Sequence, residues 1–134
     1  MFLQYYVTES TTGNRVNIEI DAATKADLDA TRNGWQTVWN TDFILDPQKE
    51  KYAAKTEDGE IIALGAYRVR KGSVAVYIAY IESQPESNPT LVEHKKYSGI
   101  GKAMIAFGIQ LSIDASCNGV VVFEAKTDDL EQHY

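Results

Sequence analysis

Cysteine is nearly missing from this sequence. Cys117 stands alone among 134 residues, which excludes an internal disulfide and fits a reducing, cytoplasmic setting. A single thiol with no activating neighbour is expected to be a small buried hydrophobe rather than a nucleophile. Basic residues are in deficit: 13 Lys and Arg face 19 Asp and Glu, a net charge of −6, so nucleic acid is not an expected partner and cationic partners are mildly favoured. No apolar run approaches the roughly 18 residues that a membrane-crossing helix requires, so no membrane association is expected. The opening "MFLQYYVTES" has no basic stretch ahead of an apolar one and does not read as a secretory leader. Two histidines and one cysteine offer no metal-ligand spacing, and no metal is expected. Repeats, low-complexity tracts and linkers are also lacking, so residues 1–134 read as one domain, long enough to bury a core.

What is present is strand-rich. "FLQYYVTE" and "RVNIEID" flank the polar turn "STTGN", and Val16, Ile18 and Ile20 alternate as a half-buried strand requires. Thr24 with Asp27 three residues on predicts a capped short helix, ended by Asn33 and Gly34. Trp35 and Trp39 lie four apart and are expected to share a helical face. Two readings stand for them: core packing, or the walls of a substrate cleft.

"KYAAKT" and "IIALGAYRV" form a predicted hairpin about Asp58-Gly59, a pair suited to a type I′ turn. After "RKGS", the run Val74 to Ile81 is apolar at every position, which predicts a central strand with helices over both faces. Pro85 and Pro89 end that strand near Glu82 to Gln84. From Ile100 the period changes: Ile100, Met104, Phe107 and Leu111 form one stripe of a helix running to about Ala115, stopped by Asn118-Gly119. "VVVFEA" is a further strand, expected parallel to 74–82, and Thr127 or Asp128 caps a last helix. The expected fold class is α/β, in the α+β mixed-sheet sense: a largely antiparallel central sheet flanked by helices, with one parallel βαβ crossover.

The stretch "HKKYSGIGKAM" places Gly99 and Gly101 where a loop becomes a helix. The first N–H groups of a helix have no internal acceptors, and two glycines let an anion approach them without a Cβ in the way. Lys96 and Lys102, with Lys95 and His94 nearby, add positive charge. A phosphate loop of nucleotide hydrolases is excluded, because Lys102 is followed by Ala103 instead of a metal-binding hydroxyl and Lys96 stands where the first glycine belongs. A dinucleotide fingerprint is excluded too, because Met104 occupies the place of its third glycine.

"KYSGIG" resembles the acetyl-CoA pyrophosphate loop of the GNAT N-acetyltransferase superfamily, whose pattern is Arg or Gln, two residues, Gly, one residue, then Gly or Ala. Lys96 stands where Arg or Gln is usual, and Gly99 and Gly101 match. "VYIAYIESQP" is similar to the family's central strand, and "VVVFEAKTDDLEQHY" to its next strand and tyrosine-bearing helix, so the resemblance covers residues 50–134, with 1–45 as the variable acceptor-side part. The resemblance implies a GNAT-like fold and transfer of acetyl from acetyl-CoA to a primary amine. It implies that backbone groups of Gly99, Ile100, Gly101, Lys102 and Ala103, with Lys96, hold the pyrophosphate. It implies that Ile81, Glu82 and Ser83 hydrogen-bond the pantetheine arm as an added strand, and that Tyr134 protonates the leaving thiolate.

The acceptor amine must lose a proton before attack, and Glu82 at the strand end is the expected base, its pKa raised by partial burial. The other reading points Glu82 into solvent. Glu124 is a minor alternative base, and His133 is expected at the surface. Three departures qualify the resemblance. The loop between Pro85 and Lys96 is long; Thr127 replaces an asparagine that often contacts the cofactor; and the sequence stops at Tyr134, ahead of the family's final strands. An open edge along 120–125 is therefore expected, with a homodimer or reduced activity as its consequence. A non-catalytic acyl-CoA-binding or interaction module is the alternative. Glu82, Glu86, Asp42 and Asp46 could attract a cationic acceptor without singling one out.

Overall fold

The computed structural model describes residues 4–39 and 49–123. Thr127, Tyr134, Glu124, His133, Asp42 and Asp46, and the expected helix after residue 126, lie outside the described residues.

Among the described residues, seven strands form a single mixed sheet: β1 Tyr5–Glu9, β2 Arg15–Ala22, β3 Lys49–Thr56, β4 Ile61–Arg68, β5 Val76–Ser83, β6 Tyr97–Ser98 and β7 Val121–Phe123, in the order β6-β1-β2-β3-β4-β5-β7. Every pairing is antiparallel except β5 with β7. Helix α1, Lys25–Asp29, follows β2, and α2, Ile100–Asp114, makes the crossover from β5 to β7. The mixed sheet with one parallel crossover is therefore as expected.

Local chemistry explains most boundaries. Thr24 accepts from the Asp27 N–H at 3.2 Å while Asp27 accepts from the Thr24 N–H at 2.9 Å, a reciprocal capping box that starts α1. The chain then tightens into a 3-10 turn, Ala30–Arg32, before Gly34 at φ +89°. The β3–β4 hairpin departs from the expected turn type. Only Gly59 has positive φ, whereas a type I′ turn needs it at Asp58 as well. The Thr56 carbonyl accepts from the Gly59 N–H and the Thr56 hydroxyl from the Glu60 N–H, so threonine chemistry shapes the turn.

β4 and β5 are covered on both sides, as their unbroken apolar runs require. Tyr67, Ile78 and Val76 pack with Met104 and Ile100 of α2, while Leu64, Ala66, Ala79 and Tyr80 pack with Leu28 and Trp39. Burying side chains of this size is worth about 1.5–3 kcal/mol each. Trp35 and Trp39 do not share a helix: residues 35–39 are irregular, with Trp39 fully buried and Trp35 packed beside it. The tertiary contacts of Trp39 override a spacing that would suit a helix.

The far ends of the sheet are tied through the 3-10 turn Pro85–Ser87. The Gln84 N–H reaches the Ile62 carbonyl at 2.8 Å, the Lys96 N–H reaches Glu86 at 2.8 Å, and the Tyr97 N–H reaches the Ser87 hydroxyl at 3.1 Å. The sheet curls, and the glycine turn before α2 is fastened both to β1 and to the end of β5. No helix among the described residues is long and apolar enough to cross a membrane.

Candidate functional site

Gly99 is the N-cap of α2, with φ +86° and ψ 6°, a left-handed conformation that costs a residue with a Cβ about 1–2 kcal/mol. It supplies no side-chain cap, so the N–H groups of Ile100, Gly101 and Lys102 have no acceptor within the helix. A Cβ built on Gly99 or Gly101 would meet no atom within 4 Å, leaving that backbone open to whatever approaches it. The helix dipole and these N–H groups favour an anion there. Ile100 and Ala103 are buried against the sheet, while Lys102 is exposed.

A groove of about 720 Å³ opens beside this turn, between β1 and α2, and Lys95, Ser98, Gly99 and Lys102 line one end of it. The lysines divide differently from the sequence expectation. Lys96 Nζ pairs with Glu60 Oε2 at 2.9 Å and lies 5.4 Å from the Tyr97 ring centre. That hydrogen bond to Glu60 raises the Lys96 pKa, against a small opposing effect of burial. Tyr97 donates to the other Glu60 oxygen at 3.2 Å, so one carboxylate of the β3–β4 turn holds two consecutive residues of the loop. Lys95, which carried little weight in the sequence, borders the groove instead.

The end of β5 carries the second set. Ile81 and Ser83 are half-buried, and Glu82 is only 3% exposed, so it does not point into solvent. Glu82 Oε2 accepts from the Gln36 N–H at 2.6 Å; Oε1 accepts from the Thr37 N–H at 3.2 Å and from Trp39 Nε1 at 2.9 Å. Both oxygens act as acceptors, as those of an ionised carboxylate do. Of the two readings open for Glu82, the solvent-pointing one is not found, and the buried carboxylate is engaged by three N–H donors. Gln36, Tyr80, Glu82, Ser83, Asn88 and Thr90 are among the walls of a cavity of about 200 Å³ at this end of β5. Burial first, and then the charge of Glu82, raises the Tyr80 pKa, against a hydrogen bond from Thr37 that lowers it.

β5 pairs with β7 over Val76–Ile78 alone among the described residues, so Ala79–Ser83 keeps an edge that no described strand pairs. The strand end and the glycine turn are fastened to the same 3-10 turn, but the groove and the cavity share no lining residue. Gly99, Lys102 and Ala103 of the expected cofactor-binding residues thus border one depression, and Ile81, Glu82 and Ser83 another. Gln36, Thr37, Tyr80 and Asn88 had no place in the sequence reading of the site. Two of these act through backbone N–H groups, which carry no side-chain signature. The only sequence signal was the aromatic pair Trp35 and Trp39, for which both core and cleft-wall readings were open. No protein-family model and no curated protein matches this chain.

Proposed function

We propose that this chain is a GNAT-type N-acetyltransferase that moves an acetyl group from acetyl-CoA to a primary amine while both substrates are bound. The observation that carries the reading is the pairing of one parallel crossover, β5–α2–β7, with a helix N-terminus opened by Gly99 and Gly101. The antiparallel strands β2 to β5 preceding the crossover suit the same reading.

The residues present fit the cofactor at two places. The uncapped N–H groups of Ile100, Gly101 and Lys102, with the Lys95 and Lys102 side chains, suit a pyrophosphate. The edge of β5 at Ile81–Ser83, which no described strand pairs, suits an extended amide-bearing arm, added as a further strand. Lys96, committed to Glu60, contributes by holding the loop in place. When bound, acetyl-CoA supplies an activated thioester. The chain orients the acceptor in the cavity beside β5 and keeps water from much of its surface. Glu82 is the only carboxylate among the described residues lining that cavity, and its engagement leaves the ammonium of the acceptor to lose its proton to solvent. Tyr134 is proposed to protonate the leaving thiolate, and Thr127 to touch the cofactor, both on the resemblance.

The engaged state of Glu82 is also what favours the second reading, an acyl-CoA-binding module without turnover. Melting curves and thiol release with an amine panel separate the two. A transferase is stabilised by acetyl-CoA, by about 2.7 kcal/mol at a hundred times Kd, so it melts higher, and it releases thiol only when an amine is added. A binding module shows the first effect without the second. A chain that shows neither is neither.

A further inference from the structure

Residues 36–39 belong to no helix or strand, yet the segment ends in a fully buried tryptophan. Backbone N–H groups outside secondary structure need another acceptor, and Glu82 supplies it for Gln36 and Thr37. The surrounding contacts pull the same way. Tyr80 stacks on Trp39 with ring centres 5.5 Å apart and 23° between planes, and its hydroxyl lies 3.0 Å from Thr37 Oγ1. The Trp39 N–H donates to Thr31 Oγ1 at 2.9 Å, and Asn88 Nδ2 donates to Gln36 Oε1 at 2.9 Å. A strap is thus laid over the end of β5, with one buried carboxylate at its centre and Gln36 forming part of the cavity wall.

We propose that Glu82 is a positioning residue whose carboxylate clasps this strap, so that the cavity admits only a slim primary amine. The proposal rests on the transferase reading above. A cavity of about 200 Å³ lies below the ~300–1,000 Å³ of sites for drug-sized ligands. The amide and hydroxyl groups of Gln36, Ser83, Asn88 and Thr90 suit an unbranched amine, such as one end of an aliphatic diamine or of a lysine side chain.

Two measurements test this. Hydrogen exchange reads the clasp without reference to activity. In the unaltered protein the Gln36 and Thr37 amides should exchange at least about 100-fold more slowly than in an unstructured chain, and Glu82→Gln should cost about tenfold or more of that protection. Unprotected amides in the unaltered protein would overturn the clasp. Steady-state kinetics with acetyl-CoA and either 1,4-diaminobutane or a branched aminoglycoside reads the positioning. The unaltered protein should prefer the diamine; Glu82→Gln should raise its KM about tenfold, narrow the preference, hold kcat within about threefold and leave the pH profile intact. A kcat loss beyond about 100-fold, with a flattened pH profile and an unchanged KM, would make Glu82 the base and sink the proposal. Should Glu82→Gln not fold, Trp39→Phe removes one donor and keeps an aromatic ring; it should raise the same KM about threefold, and no change in KM counts against the proposal. Protected amides in a protein that acetylates no amine uphold the clasp while discarding the transferase reading.

Discussion

Lys96 Nζ sits 2.9 Å from Glu60 Oε2, joining the glycine turn before α2 to the β3–β4 hairpin. Both side chains are partly exposed, so the pair is screened by solvent and is worth about 0–1 kcal/mol. The position that the family pattern gives to a phosphate contact is occupied here by an internal tie. Lys96→Gln should therefore change acetyl-CoA affinity by less than about twofold. Lys102→Gln, which removes a charge from the groove beside Gly99, should weaken it several-fold, and more at low salt than at high. Isothermal titration at two salt concentrations checks both, and a larger loss at Lys96 than at Lys102 would reverse the assignment.

Gly101 offers a sharper separation of fold from function. It lies one turn or less into α2, is not among the positive-φ glycines, and has no atom within 4 Å of a built Cβ. Alanine there meets nothing in the protein and gains helix propensity, so Gly101→Ala should stabilise the free chain by up to about 1 kcal/mol. The pattern that "KYSGIG" resembles admits alanine at this place, so acetyl-CoA should raise the melting temperature of Gly101→Ala about as much as that of the unaltered chain, whereas Gly101→Leu, whose side chain would stand over the first N–H groups of α2, should lose most of the rise. Equal rises in Gly101→Leu and the unaltered chain would count against a pyrophosphate site at the start of α2.

Local chemistry made much of the fold readable in advance. The alternation of Val16, Ile18 and Ile20, the Thr24–Asp27 capping box and the stripe through Ile100 and Met104 each arise from neighbours in the chain, and each is found. The unbroken run ending at Ile81 announced a strand covered on both faces for the same reason. What escaped depends on partners distant in sequence. β6 is two residues long and exists because Thr8 and Glu9 pair with Ser98 and Tyr97. Lys96 turns from the groove because of Glu60, 36 residues away, and Glu82 meets donors more than 40 residues before it. Spacing alone marked Glu82 as chemically interesting and could not say which groups face it.

Asp27 gives a stability prediction with a definite pH sense. Its carboxylate is largely buried, which alone would raise its pKa, but the Thr24 hydrogen bonds and the Lys55 ammonium at 3.0 Å outweigh burial and lower it. A lowered folded-state pKa means stabilisation that is complete above the unfolded value of 3.8 and fades as pH falls through the folded one. Asp27→Asn keeps one acceptor for the Thr24 N–H but loses the charge beside Lys55, and should cost about 1–2 kcal/mol at pH 7. Urea midpoints at pH 7 and at pH 2 test the sense: the gap between variant and parent should close at the lower pH. A gap that is the same at both would mean that the charge of Asp27 contributes nothing.

On the proposed transferase reading, the pH dependence of the rate follows from what faces the cavity. Among the described lining residues the titratable groups are Tyr80, kept protonated by its raised pKa, and Glu82, already engaged by N–H donors. No histidine is among these described walls and the one carboxylate is spent on N–H donors, so on this reading the amine's own ionisation should govern the rate. A protonated amine is no nucleophile, and kcat/KM should climb about tenfold per pH unit until the pH reaches the amine's pKa, then level. Two slim amines with pKa values about two units apart should then level about two units apart. Plateaus that coincide for both amines would reveal a base belonging to the protein, and a base outside the described cavity walls would have to be sought.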